Sequence, residues 1–580
     1  MRSIAVGLNY FILLPLSFWF VPLTVEAQTG AITGRVVGEE GGGLPNVTVN
    51  LNPAANQRAT SNRQPVTVVT DKEGNFKFTG LEERLYSVNV SLSKGYIYRP
   101  VPAAERRARG PYRVGDHITF TLVRGGVITG RVTTSNGEPM IDVQVIAIMV
   151  KDSEGHPVRD IISGRPRTTD DRGVYRFYGL APGSYVVFTK GGMVRSPISA
   201  YEGYAPTYNP SSPRETAAEI TVSIGGEETG VDIRYRGERG YTVSGAVIGA
   251  APAAPGAWTI VGLYNASTGL NAGMGSIRPG DSQNGFAIVG IIDGDYEIAA
   301  RSAVAEDDEY LMAPPRRITV RGADVGGIGL TLAPLASVSG KIVVESLPKA
   351  CESEHKSLLE DIIVSARREA PPTGLFLLRP IQYAASMKDQ GEFTIKNLEP
   401  SRYFFIARSQ DENWYARSIL FPASSARRNS VRSVTTIDVG RNGVILKSGD
   451  KMTGLIVTVA DGAASLRGHL ASENEGSRLP AKMLVHLVPA EPAAADVIMR
   501  YSEAVADKDG AFEFKNLAPG KYRLIARPAP GADPMDRPTT PLAWDANERA
   551  KLRREAIAAK NEIELQPCGR VKDYVLRYNN

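Results

Sequence analysis

The sequence predicts an all-β protein: a tandem array of five antiparallel Greek-key β-sandwiches, with one helix inserted in the last. Three observations carry this. A unit of polar turn, alternating strand, second turn and further strand occurs five times. Each copy follows a short strand with a glycine in a fixed place, and each is followed by a pair of closing strands. Self-similarity on that scale fixes architecture ahead of any single motif.

The repeated unit is clearest at 507–526, DKDGAFEFKNLAPGKYRLIA, and at 170–188, DDRGVYRFYGLAPGSYVVF. Variants lie at 71–81 (DKEGNFKFTGL), 284–298 (NGFAIVGIIDGDYEI) and 389–406 (DQGEFTIKNLEPSRYFFI). Period-2 alternation of Phe, Tyr, Val and Ile marks half-buried strands, and the acidic turns ahead of it mark hairpins. The openings are ITGRV at 32 and at 128, VSGAV at 243, VSGKI at 338 and LRGHL at 466. A second alternating strand follows each, such as VTVNLNP at 47–53 or MLVHLVPA at 483–490, and closing pairs include ITFTLVRG at 118–125 and NEIELQPCGRVKDYVLRY at 561–578. Roughly seven short strands per repeat describe a sandwich.

These signals divide the chain into a signal peptide at 1–27 and repeats at 28–124, 125–236, 237–333, 334–460 and 461–580. The leader reading rests on Arg2, a long apolar run interrupted by Pro15 and Pro22, and Val25-Glu26-Ala27 as the cleavage rule, against the alternative of an uncleaved anchor, for which the run is long enough. It implies an exported protein of the periplasm, the outer-membrane surface or the medium, with no membrane span after cleavage. A helix is predicted at 545–560: Asp545 and Glu548 form a capping-box pattern, and Leu552, Ala556 and Ala559 form a narrow apolar stripe. It takes the place held in the second repeat by the loop 201–218, and a short helical turn is expected at 355–361.

The combination I-[TS]-G-[RK]-V, then D-x-x-G-x-[FY]-x-[FI]-x-x-L-x-P-G-x-Y, resembles the carboxypeptidase regulatory-like domain, a transthyretin-like (prealbumin-like) sandwich, over nearly all of the mature chain. The second and fifth repeats match best; the first lacks the Pro-Gly turn. The resemblance implies a non-enzymatic accessory module, because catalysis in enzymes that carry it belongs to a separate zinc peptidase domain. Related adhesin sandwiches form a Lys–Asn isopeptide bond. Here Arg35, Arg131, Ala246, Lys341 and His469 stand at the place of the Lys, and the last strand of the fourth repeat has no Asn, so none is expected.

Composition excludes several other classes. The 67 basic and 62 acidic residues are spread along the chain, giving +5, so no strong field for nucleic acid is expected. None of the five histidines has a Glu three residues on, and His469 and His486 are the one pair on strands of a single sandwich. S-x-x-K at Ser91 and Ser346 lacks the partner motifs of that chemistry. The carboxylates of the acidic turns fall short of a calcium shell and suit turn chemistry. No cofactor or metal is expected. Cys351 and Cys568 either form one bridge between the fourth and fifth repeats or stay as two buried thiols; spacing does not decide.

The reading is therefore an exported scaffold or interaction protein of the cell envelope. Each domain is about 35 to 40 Å long by strand dimensions, which gives a rod of well over about 100 Å if extended. A carbohydrate-binding alternative uses the aromatics Tyr201, Tyr204, Tyr208, Trp258, Tyr264, Trp414 and Tyr415, against the plainer reading that these rings fill contacts between domains. A second alternative is an accessory subunit of an exported peptidase or transporter. The partners are accordingly an envelope glycan or an exported protein.

Overall fold

The computed structural model describes residues 30–53, 66–82, 84–92, 95–99, 111–153, 155, 157–162, 166–190, 203–249, 258–277, 285–303, 310–346, 351, 359, 362–369, 382–387, 389–409, 411–424, 434–472, 480, 483–507, 509–528 and 545–578. The leader and nearly all of the expected turn at 355–361 lie outside the described residues.

Five separate apolar cores form, and each draws on one stretch of chain. They are built around Phe76 and Phe120, Tyr175 and Phe177, Phe286 and Ile298, Phe393 and Phe405, and Phe512 and Leu524. Each core lies between two sheets. In the fifth repeat one sheet orders Ala511–Leu517, Ala464–Ser472 and Arg570–Tyr578, and the other orders Ser502–Ala506, Met483–Pro489, Gly520–Pro528 and Glu562–Leu565. The opening strand always lies between the hairpin strand, antiparallel to it, and the closing strand, parallel to it. In the first repeat Gly30–Val37 pairs antiparallel with Asn75–Leu81 and parallel with His117–Arg124. The same parallel ladder recurs in the other four. A parallel neighbour needs a crossover connection, and the whole second sheet supplies it.

That arrangement explains the fixed glycine. A Cβ at Gly34, Gly340 or Gly468 would overlap the closing strand's carbonyl oxygen at Ile118, Leu455 or Tyr574, and at Gly340 and Gly468 it would also lie 2.7 Å from the ring of Phe393 or Phe512. The tyrosine that recurs in the repeated unit is fixed equally simply. The phenols of Tyr86, Tyr185, Tyr296 and Tyr522 each donate to the carbonyl four residues earlier, at Glu82, Ala181, Ile292 and Ala518, over 2.6–3.0 Å. This is a tyrosine corner, which ties a crossing between sheets to the strand that follows it. The acidic turns are Asx turns: Asp507 Oδ1 accepts from the N–H groups of Asp509 and Ala511 at 2.9 and 2.8 Å, and Asp71 and Asp170 do the same. Backbone donation, from Asn75 and Val174 respectively, is the largest cause holding the Asp71 and Asp170 carboxyls below their ordinary value.

The helix runs Ala546–Ala559, with Asp545 accepting from the N–H groups of Asn547 and Glu548. Its buried stripe is Arg549, Leu552 and Ala556; the predicted Ala559 is exposed, because the helix ends against Lys560 in the left-handed region. It covers the outer face of the second sheet at Val488 and Ile525. This is why Met483–Pro489 is buried on both faces rather than alternating. In the second repeat the equivalent outer face, Ile146, Ile148, Val186 and Phe188, is covered by Tyr208 and by Leu270 of the third repeat. His486 lies under the helix, and burial, then Arg527, pushes its imidazole down to about 4; Glu503 stands 3.5 Å from its Nδ1.

Between pH 6.5 and about 4 the unfolded chain protonates His486 while the folded chain does not, so stability falls as the pH drops through that window and is constant above it, by about 3 kcal/mol in full. Calorimetry should show one transition that moves down over this range and becomes flat in His486→Leu; an unchanged profile would contradict the burial of a neutral ring.

Candidate functional site: the joints between repeats

In every repeat the hairpin strand breaks register against the opening strand just before its last apolar residue. Phe78 faces Ile32 but Leu81 faces Gly30, and Phe514 faces Leu466 but Leu517 faces Ala464. The other three ladders shift at the same point. The residue taken up in this bulge is Gly80, Gly179, Gly290, Asn397 or Asn516, with φ of 72°, 72°, 77°, 62° and 56°. Only glycine enters that left-handed region freely, and asparagine is the side chain that tolerates it best. A [GN]-[LI] pair therefore stands in all five repeats for a backbone reason.

Four of the five bulges touch the repeat before. Where the residue is glycine, it leaves room for backbone. Gly179 lies beside Gly95 of the first repeat, where an added Cβ would be 3.6 Å from Gly95 Cα, and Gly125, packed against Gly179 within the second repeat, donates its N–H to Gly95 at 2.9 Å. Gly240 donates in the same way to Gly203 at 2.9 Å, and a Cβ on Gly290 would lie 2.7 Å from the Tyr204 carbonyl oxygen. Where the residue is asparagine, its amide bonds to backbone. Asn397 Oδ1 accepts from Tyr310 N–H at 3.0 Å, and Asn516 Nδ2 donates to the carbonyls of Asp411 and Trp414 at 2.5 and 2.8 Å. At Gly80 an added Cβ meets nothing among the described residues.

The joint between the fourth and fifth repeats carries more. Ala463 N–H donates to Asn413 at 2.9 Å; the Arg570 guanidinium donates to the Ala463 carbonyl and to Asn413 Oδ1 at 3.0 and 2.6 Å. Lys515 pairs with Glu412, and Arg441 with Asp496 at 2.9 Å. Cys351 and Cys568 are joined in a disulfide with Cα atoms 5.5 Å apart.

The aromatics singled out by sequence do not form one surface. Tyr208 is 7% exposed and stacks on Phe188 at 4.7 Å between ring centres; Tyr264 is 1% and Trp414 7% exposed, the latter in the core of the fourth repeat. Tyr204 is half-buried against Tyr235, and Tyr415 is half-buried. Trp258 has a described backbone alone, paired with Ala303, and Tyr201 lies outside the described residues. Tyr208 and Tyr264 do meet at one place, a cavity between the second and third repeats. His469 is exposed on the first sheet of the fifth repeat and His486 buried on the second, so the two do not share a site. Among the described residues no group of three or more His, Cys, Asp or Glu is placed to hold a metal ion.

No protein-family model matches the chain, and neither does any curated protein. Solved structures it is similar to include the Bacillus anthracis TIE protein (13% identity over 53% of this chain and 50% of that one, TM-score 0.14). GBS52, a minor pilin of Streptococcus agalactiae, aligns at 12% identity over 36% of this chain and 95% of its own, with a TM-score of 0.20. BcpA, the major pilin subunit of Bacillus cereus, aligns at 10% over 53% and 99%, with a TM-score of 0.14. This chain thus spans half the length of the TIE protein. Scores of this size carry no functional weight.

If the joint contacts couple the fourth and fifth repeats, the two melt in a single calorimetric transition. Asn516→Ala removes two hydrogen bonds, about 1 to 2 kcal/mol. Combined with Cys351→Ser and Cys568→Ser it should split that transition in two; one transition persisting in the triple variant would show that the coupling lies elsewhere.

Proposed function

We propose that the chain is an exported, non-enzymatic scaffold of the cell envelope, whose carboxypeptidase regulatory-like sandwiches, bounded at 28–124, 125–236, 237–333, 334–460 and 461–580, hold a set spacing between its two ends. The observation that carries this reading is the repetition of one joint. Four successive junctions set the same bulge residue against the preceding repeat, by contact with Gly95 at Gly179, by close backbone approach of Tyr204 at Gly290 and by hydrogen bonds at Asn397 and Asn516. The residue type itself is set by the bulge, as Gly80 shows, but repeats on flexible linkers would not bring it against the preceding repeat at each of four junctions, and that recurrent contact supports a set geometry between domains. No helix among the described residues is long and apolar enough to cross a membrane.

Sugar recognition by the loop aromatics has less behind it, since Tyr208, Tyr264 and Trp414 are turned inward. Service as an accessory subunit of an exported peptidase or transporter is a special case of the scaffold reading and would add one stoichiometric partner.

Small-angle X-ray scattering on residues 28–580 tests the proposal. A compact chain of this length has a radius of gyration of about 24 Å, whereas a rod of five sandwiches exceeds about 40 Å. A value near the second figure, reduced or blurred by Gly179→Val and Gly290→Val, supports a spacer. A compact particle refutes it.

A further inference from the structure

The cavity between the second and third repeats has a volume of about 310 Å³, within the range of small-ligand sites. One wall comes from the outer sheet face of the second repeat, with Phe188 and Tyr208 stacked on each other. The other comes from the third repeat, with Tyr264, Leu270 and Tyr296. Leu270 belongs to the same apolar cluster as Phe188 and Tyr208, so the walls are continuous across the joint. One polar group in the lining is unusual. The side-chain carbonyl oxygen of Gln144 is buried and accepts no hydrogen bond. A buried acceptor left without a donor is costly, and a ligand donor would relieve that cost. The charged groups of the lining, Arg214, Glu215 and Asp293, are of mixed sign and favour neither an anion nor a cation. Burial raises the Tyr296 phenol to about 12, in keeping with a dry interior.

We propose that this cavity binds a neutral, ring-bearing small molecule with one hydrogen-bond donor, the ring lying among the aromatic side chains and the donor bonding to Gln144. Ring faces favour a planar guest by offset or edge contacts, and an apolar cleft closed by two domains supplies the burial. Because the guest touches both repeats, it also stabilises the joint they form. The inference is independent of the scaffold reading.

The test uses the mature chain, residues 28–580, with 2-naphthol as probe and 2-methylnaphthalene as the donor-free control, followed by fluorescence titration and by thermal unfolding. One saturable site for 2-naphthol is expected, with an upward shift in melting temperature. Leu270→Trp, which fills the cavity, should abolish binding of both compounds. Gln144→Leu should weaken 2-naphthol about tenfold and leave 2-methylnaphthalene unchanged. Absence of saturable binding to the well-folded chain, or binding that survives Leu270→Trp, overturns the site. Binding of 2-naphthol that Gln144→Leu does not weaken, or equal weakening of both probes, overturns the donor assignment.

Discussion

The recurrent contacts between repeats depend on one backbone constraint, the left-handed residue in the hairpin-strand bulge. It costs an ordinary side chain roughly 1 to 2 kcal/mol, so the position accepts Gly or Asn and little else. The bulge increases the local twist and turns the end of the strand toward the preceding repeat. The two residue types then solve the contact differently. Gly290 acts by having no side chain, so that the Tyr204 carbonyl can approach, while Gly179 lies in ordinary contact range of Gly95. Asn397 and Asn516 act through the side chain they have, bonding to Tyr310 or to Asp411 and Trp414.

A related economy governs the second sheet. Its outer face is apolar in the second and fifth repeats, and an exposed apolar face of that kind invites association. The fifth repeat covers it with its own helix, through Leu552 and Ala556. The second covers it partly with Tyr208 from its own loop and partly with Leu270 from its neighbour. The second solution is less complete, and the cavity is what it leaves. The same apolar face thus produces a closed domain in one repeat and a cleft shared by two in another.

The strands, the five-fold repetition, the capped helix and the Asx turns were legible because each is local: alternation, a cap three residues from its partner, a carboxylate two residues from the N–H it accepts. The parallel ladder was not, since nothing in ITGRV says that its partner lies some eighty residues on and runs the same way. The joint was present in the quoted motifs as TGL, YGL, VGI, KNL and KNL, but a glycine or asparagine in a strand reads as a weak turn signal until its φ is known. The aromatics misled in a specific way. Tyr208, Tyr264 and Trp414 stand near loops or strand ends, where sequence cannot distinguish a ring offered to solvent from one closing a contact, and the folded chain uses them for closing.

The disulfide gives the last joint a different character from the others. Its hydrogen bonds and the Lys515–Glu412 pair are partly exposed, and exposed charge pairs weaken in salt. The bridge does not. Cys568 lies two residues before Arg570, where the strand that closes the fifth core begins, so the bridge anchors both the joint and the ladder with Ala464–Ser472. Arg570 continues the same connection by reaching back to Asn413 and Ala463. Disulfides persist in oxidising compartments. The most heavily fastened joint is therefore the one whose covalent bond suits the oxidising compartment of the export proposed above.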